Sequence, residues 1–204
     1  MSQKNHPRRG RPRSFSADDV LEVARDLFWD RGLADVSLDE LSAATGVARP
    51  SLAAAFGDKR SLYLRAIGLF AADMAEVARA ALGARHPLKV ELMAFYGAML
   101  DRYLSGKEGR RGCFAISTMP AEALHDQEIR ATLAKIVAES DAALTKRFRV
   151  AAVRGELHRG VDARSRGILA VALLHSLAVR ARAGSPRSAL QALARSAVAH
   201  LAGA

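Results

Sequence analysis

The segment from Val36 to Phe56, VSLDELSAATGVARPSLAAAF, constrains this chain more than any other. Ser37 followed by Glu40 forms a capping box, in which each side chain satisfies a free backbone N–H at a helix start. Val36 and Leu41 supply the hydrophobic staple across it. The helix opened there is short, because Gly46 is a natural left-handed stop. A second helix follows at once, from about Arg49 to Phe56, with Leu52 and Phe56 facing inward. Upstream, Ser16 and Asp19 make an acidic version of the same box, with Phe15 and Val20 as staple. Val20, Leu21, Ala24, Leu27 and Phe28 then share one helical face as far as Gly32. Two short helices joined by a glycine turn, backed by a longer one, describe a helix-turn-helix unit.

Helical signals continue almost to the end. Leu62, Ala66, Leu69, Phe70, Met74 and Val77 recur at helical spacing between about Asp58 and Leu82. Gly83 to Pro87 interrupts, and Val90, Met93, Ala94, Met99 and Leu100 mark a helix ending near Gly106. Lys107 to Gly112 reads as a loop. A short helix near Cys113 to Leu124 contains Pro120, which should kink or end it. Three further helices are expected: from His125 to about Arg154, from Asp162 through Val179, and over the stripe from Leu190 to Leu201. No strand pattern is visible, and aromatics at 5% with only 15 Gly and 6 Pro also favour helices. The expected class is all-α, with a disordered basic arm over 1–14, the helix-turn-helix unit over 15–60 and a helical remainder over 61–204.

The charge balance narrows the function. The chain has 31 Lys and Arg against 21 Asp and Glu, a net charge of +10, which suggests an anionic partner, nucleic acid first. The basic residues do not gather on one amphipathic helix, so no membrane role is expected. The longest uncharged apolar run, Gly167 to Val179, is shorter than the roughly 20 residues a spanning helix needs. The opening stretch is polar and basic, unlike a signal peptide. A single cysteine, Cys113, excludes an internal disulfide, and the reducing cytoplasm is the expected location. No glycine-rich phosphate loop, paired-histidine motif or nucleophile elbow is present, so neither an enzyme nor a cofactor nor a metal site is expected.

Several residues suit contact with a DNA duplex. The first turn of the second helix of such a unit meets base edges, and here it offers Arg49, Pro50 and Ser51. Arginine can grip guanine O6 and N7 bidentately, worth roughly 1–3 kcal/mol of discrimination. The methyl groups of Ala53 and Ala54 can meet a thymine methyl. Ser37 and Lys59, at the starts of their helices, are placed to meet phosphates. In the arm, Arg9-Gly10-Arg11-Pro12 matches the core of an AT-hook, whose arginines enter a narrow minor groove.

The stretch from Gly10 to Ile67 resembles the DNA-binding domain of the TetR/AcrR family of transcriptional regulators. The resemblance rests on AxxLFxxxG over Ala24 to Gly32, on SLDEL, on the TGV turn and on SLxxxFGDK, and it spans about a quarter of the chain. It implies a homodimeric repressor on a double-stranded operator, released by a small ligand. It also implies that the remainder is a ligand-binding and dimerisation domain, with the last two helices as the dimer interface. Two departures stand out. Ala53, Ala54 and Ala55 replace the aromatic and histidine residues usual in the family. Ala48 replaces the usual Ser or Thr cap, a change that costs about 1 kcal/mol of helix stability. A recognition helix this bare leaves open a nonspecific architectural DNA binder as the alternative.

For the regulatory part the candidate ligand contacts are Phe70, Met74, Phe95, Met99, Tyr103, Cys113, Phe114, Ser117 and His175. They are the apolar, aromatic and interspersed polar groups of its helices, suited to an apolar or aromatic small molecule. Cys113 also carries a second alternative, a redox- or electrophile-sensing regulator. It follows Arg110 and Arg111 at a helix start, a setting that should lower its pKa below the free value of about 8.5.

Overall fold

Helix caps decide where the elements begin. A computed structural model describes residues 16–158 and 160–203; the basic arm with Arg9 and Arg11, and Phe15 of the first staple, lie outside the described residues. In α1 (Ala17–Arg31) the Ser16 hydroxyl accepts the Asp19 N–H, two aspartates occupy the first turn, and Arg31 sits in the last. That arrangement complements the helix dipole. In α2 (Leu38–Thr45) the full capping box forms between Ser37 and Glu40, and Gly46 stops the helix in the left-handed region at φ 67°. The next helix, α3 (Arg49–Phe56), starts at Ala48 without a side-chain cap, with Pro50 in its first turn, where the missing N–H costs least. Asp58 caps α4 (Lys59–Ala81) by accepting the Ser61 N–H. A line drawn after residue 60 therefore falls inside α4.

Five more helices follow among the described residues: α5 (Leu88–Tyr103), α6 (Phe114–Glu122), α7 (Gln127–Val153), α8 (Ala163–Arg182) and α9 (Arg187–Leu201). No strand occurs among the described residues. Pro120 does not stop α6, which runs on to Glu122: the proline lies in the last turn, so only one intrahelical bond is lost. Asp126 and Asp162 cap α7 and α8, and α8 extends past the expected Val179 to Arg182.

The core is one continuous cluster from Val20 in α1 to Leu201 in α9. At its centre α5 touches α4, α7, α8 and α9. Its inward face is Leu88, Leu92, Phe95, Tyr96, Met99, Leu100 and Tyr103, whereas Val90 is 53% exposed. The expected stripe through Val90, Met93 and Ala94 was thus displaced, because a helix with neighbours on nearly every side has no single apolar stripe to read. Along the α7–α8 contact Gly167 lies so close to Thr145 that a Cβ there would sit 2.5 Å from its hydroxyl and 2.6 Å from its backbone nitrogen.

Aromatic rings join the helix-turn-helix unit to the rest. Trp29 of α1 meets Phe70 of α4 edge-on at 4.8 Å and stacks on Phe114 of α6 at 6.0 Å. Tyr63 of α4 meets Phe28 at 5.3 Å and Phe114 at 5.7 Å, both edge-on. The Thr118 hydroxyl donates to the Phe114 carbonyl, so the Tyr63 hydroxyl, 2.7 Å away, donates to Thr118.

Candidate nucleic-acid interface and cavity

The helix-turn-helix surface is built from its buried side outward. Leu41, Val47, Leu52 and Phe56 are buried, with α2 packed on α1 and α3 on α2. That leaves Arg49, Pro50, Ser51, Ala53 and Ala54 exposed together along α3. Arg49 forms an exposed ion pair with Asp39 of α2, its Nη1 3.1 Å from Asp39 Oδ1. Such an exposed pair is worth about 0–1 kcal/mol, so the guanidinium is released from it cheaply. Ser37 is exposed, but its hydroxyl donates to Glu40 and accepts the Glu40 N–H. Glu40 in turn is tied to Arg31 at the end of α1. The Ser37 N–H and hydroxyl, together with Arg31, hold the Glu40 carboxyl down to about 2. Lys59, expected at a phosphate, donates from Nζ to the Leu33 carbonyl at 2.8 Å and so braces the loop after α1.

Residues of α4 to α8 line a cavity of about 500 Å³. Phe70 and Met74 of α4, Phe95, Met99 and Tyr103 of α5, Cys113 before α6 and His175 of α8 all line it. Ile136, Ser140, Leu144 and Arg147 of α7 complete the wall with Leu174 of α8. Seven of the nine candidate ligand residues are thereby brought together. The other two are not: Phe114 is fully buried in the aromatic cluster, and Ser117 lies by Gly112, on the side of Arg182. On α6, residues 114 and 117 turn toward α1 and α8, while Ile116 faces the cavity. Burial lowers the pKa of His175 and outweighs the opposing charge of Asp141, so the wall disfavours the protonated imidazole there.

Cys113 departs from expectation in its chemistry, not its place. It is the N-cap of α6 and only 8% exposed. Burial pushes its thiol up to about 11, more than the N–H groups of Ile116 and Ala115 and the Tyr103 hydroxyl pull it down. The guanidinium groups invoked to lower it point elsewhere, Arg110 to Glu108 and Arg111 to Asp30. At neutral pH the group is a thiol, not a thiolate.

Beside Cys113 the cavity wall meets the helix-turn-helix unit. The Trp29 indole N–H donates to the Gly112 carbonyl at 3.2 Å. Arg111 lies over the Trp29 ring at 5.2 Å and grips both carboxylate oxygens of Asp30 at 2.6 and 3.0 Å. From the end of α8, Arg182 donates to the carbonyls of Trp29, Asp30 and Arg111. Gly112 permits this clasp: its φ is 66°, and a Cβ would lie 2.7 Å from the Ala178 carbonyl. The end of α1, the loop before α6 and the end of α8 are thus bound at one point. Sequence reasoning missed this clasp, because Asp30, Arg111 and Arg182 each read as ordinary surface charges. It also missed Arg147 and Glu91, whose burial no local pattern announces. Among the described residues no group of three His, Cys, Asp or Glu could hold a metal ion, and no helix is long and apolar enough to cross a membrane.

Comparison with known proteins bears on this arrangement. Residues 20–66 match the model of bacterial regulatory proteins of the tetR family. The chain is 26% identical over 186 residues to the HTH-type transcriptional repressor ComR of Escherichia coli (strain K12), covering 91% of this chain and 89% of that one. Its fold superposes with a TM-score of 0.84 on a cysteine mutant of the TetR family transcriptional regulator CifR complexed with a 26 bp operator DNA. That match is 28% identical and covers 92% of this chain and 98% of the other. A TetR family regulator from Cytophaga hutchinsonii, 18% identical, shares the fold at a TM-score of 0.78 over 91% of this chain and 92% of that one.

Proposed function

Because this chain belongs to the TetR family of bacterial transcriptional regulators, we propose that it is a homodimeric repressor whose α3 reads a double-stranded operator and whose cavity takes a small apolar or aromatic effector that releases it. The observation that carries this reading is the join between cavity and reading head. Phe70 and Met74 line the cavity from α4, whose first residue braces the loop after α1. Cys113 lines it one residue from Gly112, which accepts the Trp29 N–H. A molecule wedged among these groups alters the seat of α1, and with it the direction of α3. It releases DNA only to the extent that it binds one arrangement better than the other; tenfold weaker operator binding needs about 1.4 kcal/mol of coupling.

Base reading then rests on Arg49 and Ser51, with the methyls of Ala53 and Ala54 against the groove. Arg49→Ala should cost about 1–3 kcal/mol of operator affinity and relax the preference at one base pair. A footprint and affinity series across operator variants checks this. Unaltered discrimination at every base pair would remove Arg49 from the reading surface.

The second copy is expected against α8. Ile168, Leu169 and Val179 are 40%, 56% and 57% exposed on the side of α8 turned away from the core. Paired α8 and α9 helices from two copies form a four-helix bundle that covers them. Leu174 belongs to the cavity wall instead, so a charge placed there would test the interior. Val179→Glu leaves the protomer intact and should convert the dimer to monomers in light scattering. A dimer of undiminished affinity would place the interface elsewhere.

A further inference from the structure

Arg147 is the one charged residue of the cavity wall that is buried outright, its side chain 1% exposed. Its guanidinium is used unevenly. Nε donates to Glu91 Oε2 at 2.5 Å. Nη2 donates to the His86 carbonyl at 3.0 Å and to Glu156 at 3.4 Å. Nη1 is covered and has no hydrogen-bond acceptor among the described residues. Buried guanidinium nitrogens without an acceptor are rare, since the lost hydration is not replaced.

Two observations bear on this nitrogen. Glu91, His86 and Glu156, which hold the other nitrogens, are absent from the cavity wall, whereas Arg147 lines it. Nη1 is thus the one nitrogen of this wall residue without a partner among the described residues. Glu91 also does not depend on Arg147 alone: it accepts the backbone N–H groups of Ala84, Arg85 and His86 at 3.1, 2.7 and 3.0 Å. Arg147 already faces two carboxylates, Glu91 and Glu156, and Nη1 is the donor left over for a further oxyanion. Around it the wall adds Arg79 and Lys146 against the single acid Glu139, and Lys146 has no ion pair among the described residues.

We propose that Arg147 is the headgroup site of the cavity and that the effector is an amphipathic anion. Its carboxylate or comparable oxyanion accepts from Arg147 Nη1, and its apolar body lies among Phe70, Met74, Phe95 and Met99. This rests on the reading that the cavity holds the effector. The rigid fork of arginine suits an oxyanion better than a point charge does, and a charge-assisted bond away from water is among the stronger polar contacts available.

The test uses the full chain and two fluorescent probes with the same rings, anilinonaphthalene sulfonate and its neutral parent phenylnaphthylamine. The sulfonate should bind about tenfold more tightly than the parent. Removing Arg147 alone leaves Glu91 buried without its cation and endangers folding. The Glu91→Gln, Arg147→Met double variant removes the buried pair, while the amide oxygen still accepts from Arg85 and His86, and Glu156 keeps the Leu88 N–H and Arg154. It should lose the preference for the sulfonate and keep its affinity for the parent. Equal affinity of the native chain for the two probes, or a preference that survives in the double variant, overturns the headgroup assignment and leaves the cavity reading standing. Failure of the cavity-filling Met74→Trp to weaken either probe overturns the cavity reading itself, and this inference with it.

Discussion

Phe114→Ala is expected to lower the stability of the protein by about 3–5 kcal/mol, the range for truncating a buried aromatic. The ring is fully buried and forms the meeting point of three helices. It stacks on Trp29 of α1 and meets Tyr63 and Phe70 of α4 edge-on, with centroids 5.7 and 5.8 Å away. Those rings sit on two other helices, α1 and α4, each held by its own caps and hydrogen bonds, so the void left by truncation cannot close by a simple shift. The same rings hold the helix-turn-helix unit against the rest, so operator affinity should fall with stability. Urea denaturation measures the first effect and a binding isotherm at low temperature the second. A loss below about 1 kcal/mol would show that the aromatic cluster is not the joint between the two parts. The variant also separates two roles for this residue. A ligand contact would change probe affinity with little effect on folding, whereas a joint does the reverse.

Gly167→Ala should destabilise by about 1–3 kcal/mol, against the trend for a helix interior. Alanine is preferred over glycine there by roughly 1 kcal/mol, so propensity alone predicts a gain. Packing outweighs it. The new Cβ would lie 2.5 Å from the Thr145 hydroxyl oxygen, 2.6 Å from its backbone nitrogen and 2.7 Å from its Cα. A side chain can rotate away, but the backbone of α7 cannot, so α8 must lift from α7 along a shared wall of the cavity. Gly68 in α4 is the matched control, with nothing within 4 Å of its Cβ position. Gly68→Ala should therefore stabilise by about 0.5–1 kcal/mol. Thermal unfolding of both variants checks the pair. Stabilisation by both would mean that the two helices are further apart than the structure has them.

The sequence alone determined what depends on a few neighbouring residues. Ser37, Glu40 and Gly46 act within one or two turns, so the length and bounds of α2 could be read before any tertiary contact was known. Asp58, Asp126 and Asp162 start their helices by bonding to residues at most three positions on. The exposed face of α3 follows from Leu52 and Phe56 facing inward, and the motifs around it identified the kind of protein. Residue type, aromatic, apolar or a polar group amid apolar runs, also gathered seven residues that share the cavity.

Tertiary structure decided what depends on partners far along the chain. Whether Phe114 or Ile116 faces the cavity is a matter of how α6 is rotated, and the Trp29 and Tyr63 rings settle that rotation. The pKa of Cys113 moves up instead of down because desolvation is set by packing, while the flanking arginines answer to Asp30 and Glu108. Arg182 reaches back 153 residues to Trp29. Arg147 becomes a buried cation because Glu91 and Glu156, 56 and 9 residues away, converge on it. Local signals report periodicity and caps. The free energy of a charge or a ring depends on what surrounds it in space, and only the assembled helices bring those surroundings together.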